Sequence, residues 1–271
     1  METGTAPALD LDFHAAVALM QWQMEMGVDE AILDAPLNRY DLPESLAVKP
    51  AATGARVPAP VDGVPARTSG PDPVAVAAAA AAAASDLPAL AEAQRAFDLC
   101  ELKKGARSFV FADGVARARV MIVGEAPGRE EDIAGRPFVG AAGELLDRML
   151  AAIGLSRQAP APESGVYITN VMPWRPPGNR EPTPAEIAMM QPFLARHVAL
   201  ADPDLIVLMG NAPCMAGLGQ RSILRLRGQW ATAFGKPALP MVHPAYLLRQ
   251  PQGKRDAWVD LLELRARLDR A

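Results

Sequence analysis

Four short apolar, β-rich runs, at residues 119–123, 166–169, 205–209 and 239–242, constrain the fold of this chain more than any other feature. The segments between them, notably 142–153 and 185–200, are amphipathic with apolar residues at helical spacing. Strands alternating with such helices read as a parallel sheet with crossover connections. An α/β domain beginning near residue 86 is therefore predicted, and Ser85 or Asp86 is placed to cap a first helix running towards Cys100.

Upstream of that domain the composition changes. Residues 35–73 hold eight prolines and few apolar groupings, too little to offset the entropy of ordering them. Residues 74–84 are almost pure alanine, a composition open to transient helix. The predicted organisation is a helical segment at 1–34, a Pro/Ala-rich linker at 35–85 and a catalytic-sized domain at 86–271, so the extension as a whole is expected to be largely disordered. Within 1–34, Phe13, Val17, Met20 and Met24, with Leu19, Trp22 and Met26, form an apolar face ending at Gly27. Such a helix either folds back on its own domain or docks in the groove of a protein partner, which makes residues 10–33 a candidate partner-binding segment.

Charge follows the same division. The 271 residues carry a net charge of −4, which taken alone argues against nucleic acid. Residues 1–94, however, hold 4 Lys+Arg against 13 Asp+Glu, whereas residues 95–271 hold 23 against 18. The domain is mildly basic, as contact with phosphates requires, and the acidity belongs to the extension. Two cysteines, Cys100 and Cys214, are too few for a disulfide framework. With no secretory leader and no long apolar run except the alanine patch, the expectation is a soluble, cytoplasmic protein without membrane contact.

Chemistry is concentrated at the strand ends, where the loops of a parallel sheet converge. The first run leads into Gly124-Glu125-Ala126-Pro127-Gly128, the second into Asn170, the third into Gly210-Asn211 and the fourth into His243-Pro244. A carboxylate, an amide and an imidazole would thus share one pocket without being neighbours in sequence. Singly, each is as well explained by a turn or a satisfied loop side chain.

Together with Arg129-Glu130-Glu131-Asp132, Gly135-Arg136-Pro137-Phe138-Val139-Gly140, Arg175-Pro176-Pro177-Gly178-Asn179-Arg180, Leu226-Arg227-Gly228-Gln229-Trp230 and His243-Pro244-Ala245-Tyr246-Leu247-Leu248-Arg249, they are much more specific. Over residues 90–268 the chain resembles the family 4 uracil-DNA glycosylases of bacteria and archaea, in the order and spacing of these motifs. The resemblance implies the uracil-DNA glycosylase fold, a three-layer α/β/α arrangement with a four-stranded parallel sheet. It implies a monofunctional enzyme of base excision repair, acting as a monomer on uracil-containing DNA and leaving an abasic site. Glu125 is then the group that positions or activates water, with Gly124 and Ala126 beside it at the base. Glu131 and Asp132 order that loop, and Phe138 is the aromatic on which flipped uracil stacks. Asn170 reads the uracil edge, and His243 hydrogen-bonds uracil O2 as the base leaves. The Tyr246-Leu247-Leu248 stretch is similar to the segment that wedges into the duplex, while Arg175, Arg180, Arg227 and Arg249 suit DNA contacts.

At four positions the resemblance fails. Family 4 members typically hold a [4Fe-4S] cluster on four cysteines, and the matching places here are Phe97, Cys100, Trp174 and Met190. One thiolate cannot hold such a cluster, so the expectation is no cofactor, with hydrophobic packing in its place. The competing functional class is a DNA-lesion binding or recruitment protein with little turnover that uses its N-terminal helix for docking. Retention of Glu125, Asn170 and His243 together speaks against it. Hypoxanthine and xanthine remain open as further bases.

Overall fold

The computed structural model describes residues 71–270. The expected helix within 1–34 and the linker over 35–70 lie outside the described residues. In chain order the elements are α1 (Pro73–Ala83), α2 (Leu87–Ala96), α3 (Leu102–Gly105), β1 (Ala112–Gly114), β2 (Val120–Gly124), α4 (Arg129–Ala134), α5 (Gly140–Ala151), β3 (Val166–Asn170), α6 (Pro184–Ala201), β4 (Leu205–Met209), α7 (Asn211–Leu218), α8 (Ile223–Leu226), β5 (Ala231–Ala233), β6 (Lys236–Met241), α9 (Pro244–Arg249) and α10 (Lys254–Leu268).

The four expected runs are β2, β3, β4 and β6, and they are parallel, in the order β3-β2-β4-β6. The sheet is larger than expected, with six strands, because β1 pairs antiparallel with β3 and β5 antiparallel with β6 at its two edges. Each of these edge strands is only three residues long and carries no apolar run, so nothing in composition marks it.

Alternate side chains of the central strands enter two separate cores, one on each face. Met121, Val123, Ile206 and Leu208 pack with α1, α2, α6 and α7. Val120, Ile122, Val207 and Met241 pack with Leu146 and Leu150 of α5 and Leu261 and Leu264 of α10. The three layers follow from this division.

The N-terminal boundary moves. Residues 73–83, expected within the linker, form α1, started by the Asp72 side chain accepting from the Val74 N–H and by Pro73 at the first helical position. Ala77 and Ala81 are buried against the neighbouring helices, and Arg196 of α6 donates twice to the carbonyl of Ala84, at 3.0 and 2.6 Å. Alanine shows no amphipathic pattern, yet its small side chain lets two helices approach closely. Asp86 caps α2 as expected, accepting from the Ala89 N–H at 2.8 Å. Among the described residues no helix is long and apolar enough to cross a membrane.

Candidate active site

A cleft of about 440 Å³ opens at the carboxyl ends of the parallel strands, lined by Glu125, Ala126, Glu131, Phe138, Asn170, His243, Tyr246 and Arg249, among others. It lies in the size range of small-molecule sites. The expected residues are brought together by register. Gly124 at the end of β2 pairs with Asn170 at the end of β3, and the ladder runs on, Val171 N–H to the Gly124 carbonyl at 2.9 Å and Met172 N–H to the Glu125 carbonyl at 3.0 Å.

Any side chain at Gly124 would displace the groups that meet there. A Cβ at that position would stand 2.3 Å from Asn170 Oδ1 and 2.6 Å from the Phe138 ring. The amide and the aromatic therefore meet over a backbone with no side chain. Asn170 is only 7% exposed, and among the described residues its side-chain amide makes no hydrogen bond, although it lines the cleft. Its polar atoms open onto the cleft and are not sealed from water, so they are free to pair with a ligand that enters it.

His243 is the residue before α9, and its Nδ1 accepts from the Ala245 N–H at 3.2 Å. That bond leaves Nε2 as the nitrogen carrying the proton in the neutral ring. Burial pulls the imidazole pKa down to about 4, and the nearby Arg249 charge adds to this. At neutral pH the ring is an uncharged donor. It lies against Phe138 with ring centroids 5.1 Å apart and planes 22° from parallel. Across the cleft, burial pushes the Glu125 carboxyl above its ordinary range, Glu181 pushes it further, and Arg221 opposes them.

Two acids act on the loops rather than on a ligand. Glu131 accepts from Gly128 N–H at 3.0 Å and Val139 N–H at 2.9 Å, tying the two sides of the cleft together. Asp132, expected with Glu131 to order the loop at the substrate, is buried outside the cleft and accepts instead from the Arg107 and Ser108 N–H groups before β1, both at 2.9 Å.

The DNA-facing candidates divide. Tyr246 and Arg249 line the mouth, and Arg175 is exposed enough to hold Asn179 Oδ1 from its Nε at 2.7 Å. Leu247 does not face DNA: it is 1% exposed and packs with Leu145, Val242 and Ala257. One turn of α9 carries it inward and leaves Leu248, 42% exposed, as the outward apolar side chain. Arg227 points away from the cleft, with Nε and Nη2 on the Asp260 carboxylate at 3.0 and 2.6 Å. Arg180 lines the cleft but is bidentate to Glu186, at 2.9 and 2.7 Å, and this holds the Glu186 carboxyl down at about 2.

Sequence reasoning missed Glu181, Asn179 and Arg157. The first two line the cleft from the loop before α6, and Arg157 touches the loop that carries Phe138. A lone arginine after α5 carries no signal of that role.

Phe97, Cys100, Trp174 and Met190 all lie in the same buried cluster. Phe97 packs edge-on to Phe193 with centroids 5.6 Å apart, and Trp174 lies 5.8 Å from Phe109. Met190 Sδ accepts from Gln94 Nε2 at 3.7 Å, and burial raises the Cys100 thiol pKa. A single thiol held in its neutral form, among two aromatic rings and a thioether, does not suit an iron-sulfur cluster.

Comparison with known proteins agrees with this architecture. Residues 111–263 match the uracil DNA glycosylase superfamily. The type-4 uracil-DNA glycosylase of Archaeoglobus fulgidus is 40% identical over 162 residues, covering 56% of this chain and 78% of that protein. That of Thermotoga maritima is 40% identical over 155 residues, 55% of this chain and 77% of the relative. That of Pyrobaculum aerophilum is 34% identical over 191 residues, 65% of this chain and 91% of the relative. The shared span contains all four parallel strands and every strand-end group of the cleft, and the chain belongs to the uracil-DNA glycosylase superfamily, in its type-4 family.

Proposed function

We propose that this protein is a monofunctional uracil-DNA glycosylase, which turns uracil out of DNA and hydrolyses its N-glycosidic bond. The observation that carries this is the unpartnered Asn170 amide at the end of β3, set over Gly124 beside the Phe138 ring. Uracil presents an acceptor at O4 and a donor at N3, and cytosine presents the reverse. One amide held in one orientation satisfies only uracil, and the wrong base leaves buried groups unpaired.

The chemistry follows from the cleft. Extrusion of the base costs a few kcal/mol of stacking, part of which the Phe138 face returns. Tyr246 at the mouth and the exposed Leu248 on the same short helix are available to occupy the gap, and Arg249 and Arg175 suit the phosphates. As the C1′–N1 bond breaks, its electron pair passes into the uracil ring and onto O2. The neutral His243 Nε2–H donates to that oxygen, and because its proton is already in place no charge must be rearranged. The cationic sugar left behind is stabilised by the Glu125 carboxylate, which also orients the water that adds to C1′ and takes its proton. The uracil anion takes up a proton from solvent as it leaves and Glu125 gives one back, so the net reaction consumes one water and yields free uracil and an abasic deoxyribose.

An excision assay on a uracil-containing oligonucleotide, with alkaline cleavage of abasic sites, tests this. Asn170→Ala and His243→Ala are each expected to lose about 100- to 1,000-fold in rate while remaining folded. Wild-type rates in both would overturn the assignment.

We also propose that the family's cluster is replaced by packing in this chain. The support is the apolar cluster around Phe97, Trp174 and Met190 and the neutral Cys100 thiol. Protein purified without oxygen is expected to contain no stoichiometric iron or sulfide and no visible absorption band; finding them would refute the proposal.

A further inference from the structure

Phe138 sits in a backbone conformation that it does not favour. Its φ is +52°, in the left-handed region where a Cβ is crowded, and such a residue stays there only when its surroundings hold it. The carbonyls of Pro137 and Phe138 are both gripped by Arg157, Nη1 to Pro137 O at 3.0 Å and Nη2 to Phe138 O at 3.1 Å. The same guanidinium places Nη1 on Asp113 Oδ2 at 3.1 Å and Nε on Asp147 Oδ1 at 2.8 Å. Four hydrogen bonds therefore take up most of its five N–H donors. Its side chain is 9% exposed. From the other side, α5 closes on the same carbonyl: a Cβ on Gly143 would stand 1.9 Å from Phe138 O.

The backbone next to Arg157 is anchored as well. Ser156 N–H donates to the Ser164 carbonyl at 2.9 Å, and the Ser156 carbonyl accepts from Val166 N–H at 3.2 Å, at the start of the strand that ends in Asn170. One arginine thus ties the loop of the stacking ring to β1 through Asp113, to α5 through Asp147 and to the root of β3.

We propose that Arg157 is a positioning residue for excision, which sets the Phe138 ring over Gly124 and against His243. The role rests on the glycosylase assignment, since it matters only if a base stacks on that ring. Lysine cannot replace it fully, because three donors on one nitrogen cannot span two adjacent carbonyls and two carboxylates.

The test uses the full chain, with Arg157→Gln, Arg157→Lys and, as reference, Phe138→Leu. Without DNA, the ring-proton resonances of His243, assigned among the chain's three histidines, report the ring current of Phe138 stacked on it. Arg157→Gln is expected to move them towards their Phe138→Leu values and to slow single-turnover excision about 10- to 100-fold, as a displacement of about 1 Å does. DNA affinity should stay within about 3-fold, and Arg157→Lys should recover part of both readings. Asp147→Asn removes one anchor at a half-exposed position and gives the same changes in milder form, which decides the matter if Arg157→Gln does not fold.

Unmoved His243 resonances, or moved resonances with wild-type excision, would overturn the proposal. So would a loss of activity in Asp147→Asn matched by an equal loss of folded protein. Absence of excision by the wild-type chain would instead strike the glycosylase assignment, while the resonances would still show whether Arg157 places the ring.

Discussion

At position 124 a single methyl group separates a pocket from a filled space. The atoms that a Cβ would meet, Asn170 Oδ1 and the far edge of the Phe138 ring, belong to side chains and not to backbone, so the added methyl displaces them without breaking the ladder. Gly124→Ala is therefore expected to fold, to melt within a few degrees of wild type and to lose about 100-fold in excision, because both base-contacting groups are displaced together. Calorimetry beside the excision assay checks this, and full activity would mean that the base does not lie over Gly124. Glu125, Phe138, Asn170 and His243 are legible in the sequence because a parallel sheet brings its strand ends together whatever lies between them. Leu247 and Arg227 are not legible in the same way. Which side of the short helix α9 faces inward, and that Asp260 waits for Arg227 some thirty residues later, depends on tertiary packing that no local pattern announces.

Among the elements, α1 is the one whose sequence reads least like what it is. An alanine run signals helix propensity but not a face, so residues 73–83 look like linker until α6 is there to pack on. The terminal signals, Asp72 as cap and Pro73 after it, mark the start more reliably than the apolar pattern does. A chain beginning at residue 71 is expected to melt like the described domain. One beginning at residue 86 loses α1, its buried alanines and the Arg196 partner at Ala84, a cost of about 2–4 kcal/mol. This corresponds to a melting temperature lower by about 5–10 °C. Equal melting of the two truncated chains would show that α1 contributes nothing. The edge strands β1 and β5 are illegible for another reason: three residues are too few for any period to emerge.

For the molecule as a whole, pH acts through buried histidines, one of them outside the cleft lining. His197 is buried, stacks on Phe111 with centroids 4.4 Å apart and shares a 2.9 Å hydrogen bond with the Tyr167 hydroxyl. Burial holds its pKa down at about 3, against 6.5 in the unfolded chain. Above pH 6.5 neither state is protonated there. As pH falls from 6.5 towards 3 the unfolded chain binds a proton that the folded one refuses, so stability is lost, on the order of 2 kcal/mol at pH 5. His243 acts in the same direction, while Asp260, raised to about 6 by burial, opposes both between pH 6 and its ordinary value of 3.8. His197→Gln is expected to be less stable at pH 7 but to lose less between pH 7 and pH 5, as read from urea midpoints. An unchanged pH slope would remove His197 from the account. The backbone ladder has a different consequence. Glu125, Asn170 and His243 follow strands β2, β3 and β6 of one continuous parallel ladder, so the roots of the outer two are about 14 Å apart, a span set by strand spacing alone. The sheet works as a ruler with the reacting groups at its marks. Substitution of the exposed, uncharged Leu248 can change which nucleic acid is admitted without changing what happens to it once inside, whereas Arg249 and Glu181 also bias the charge states of His243 and Glu125.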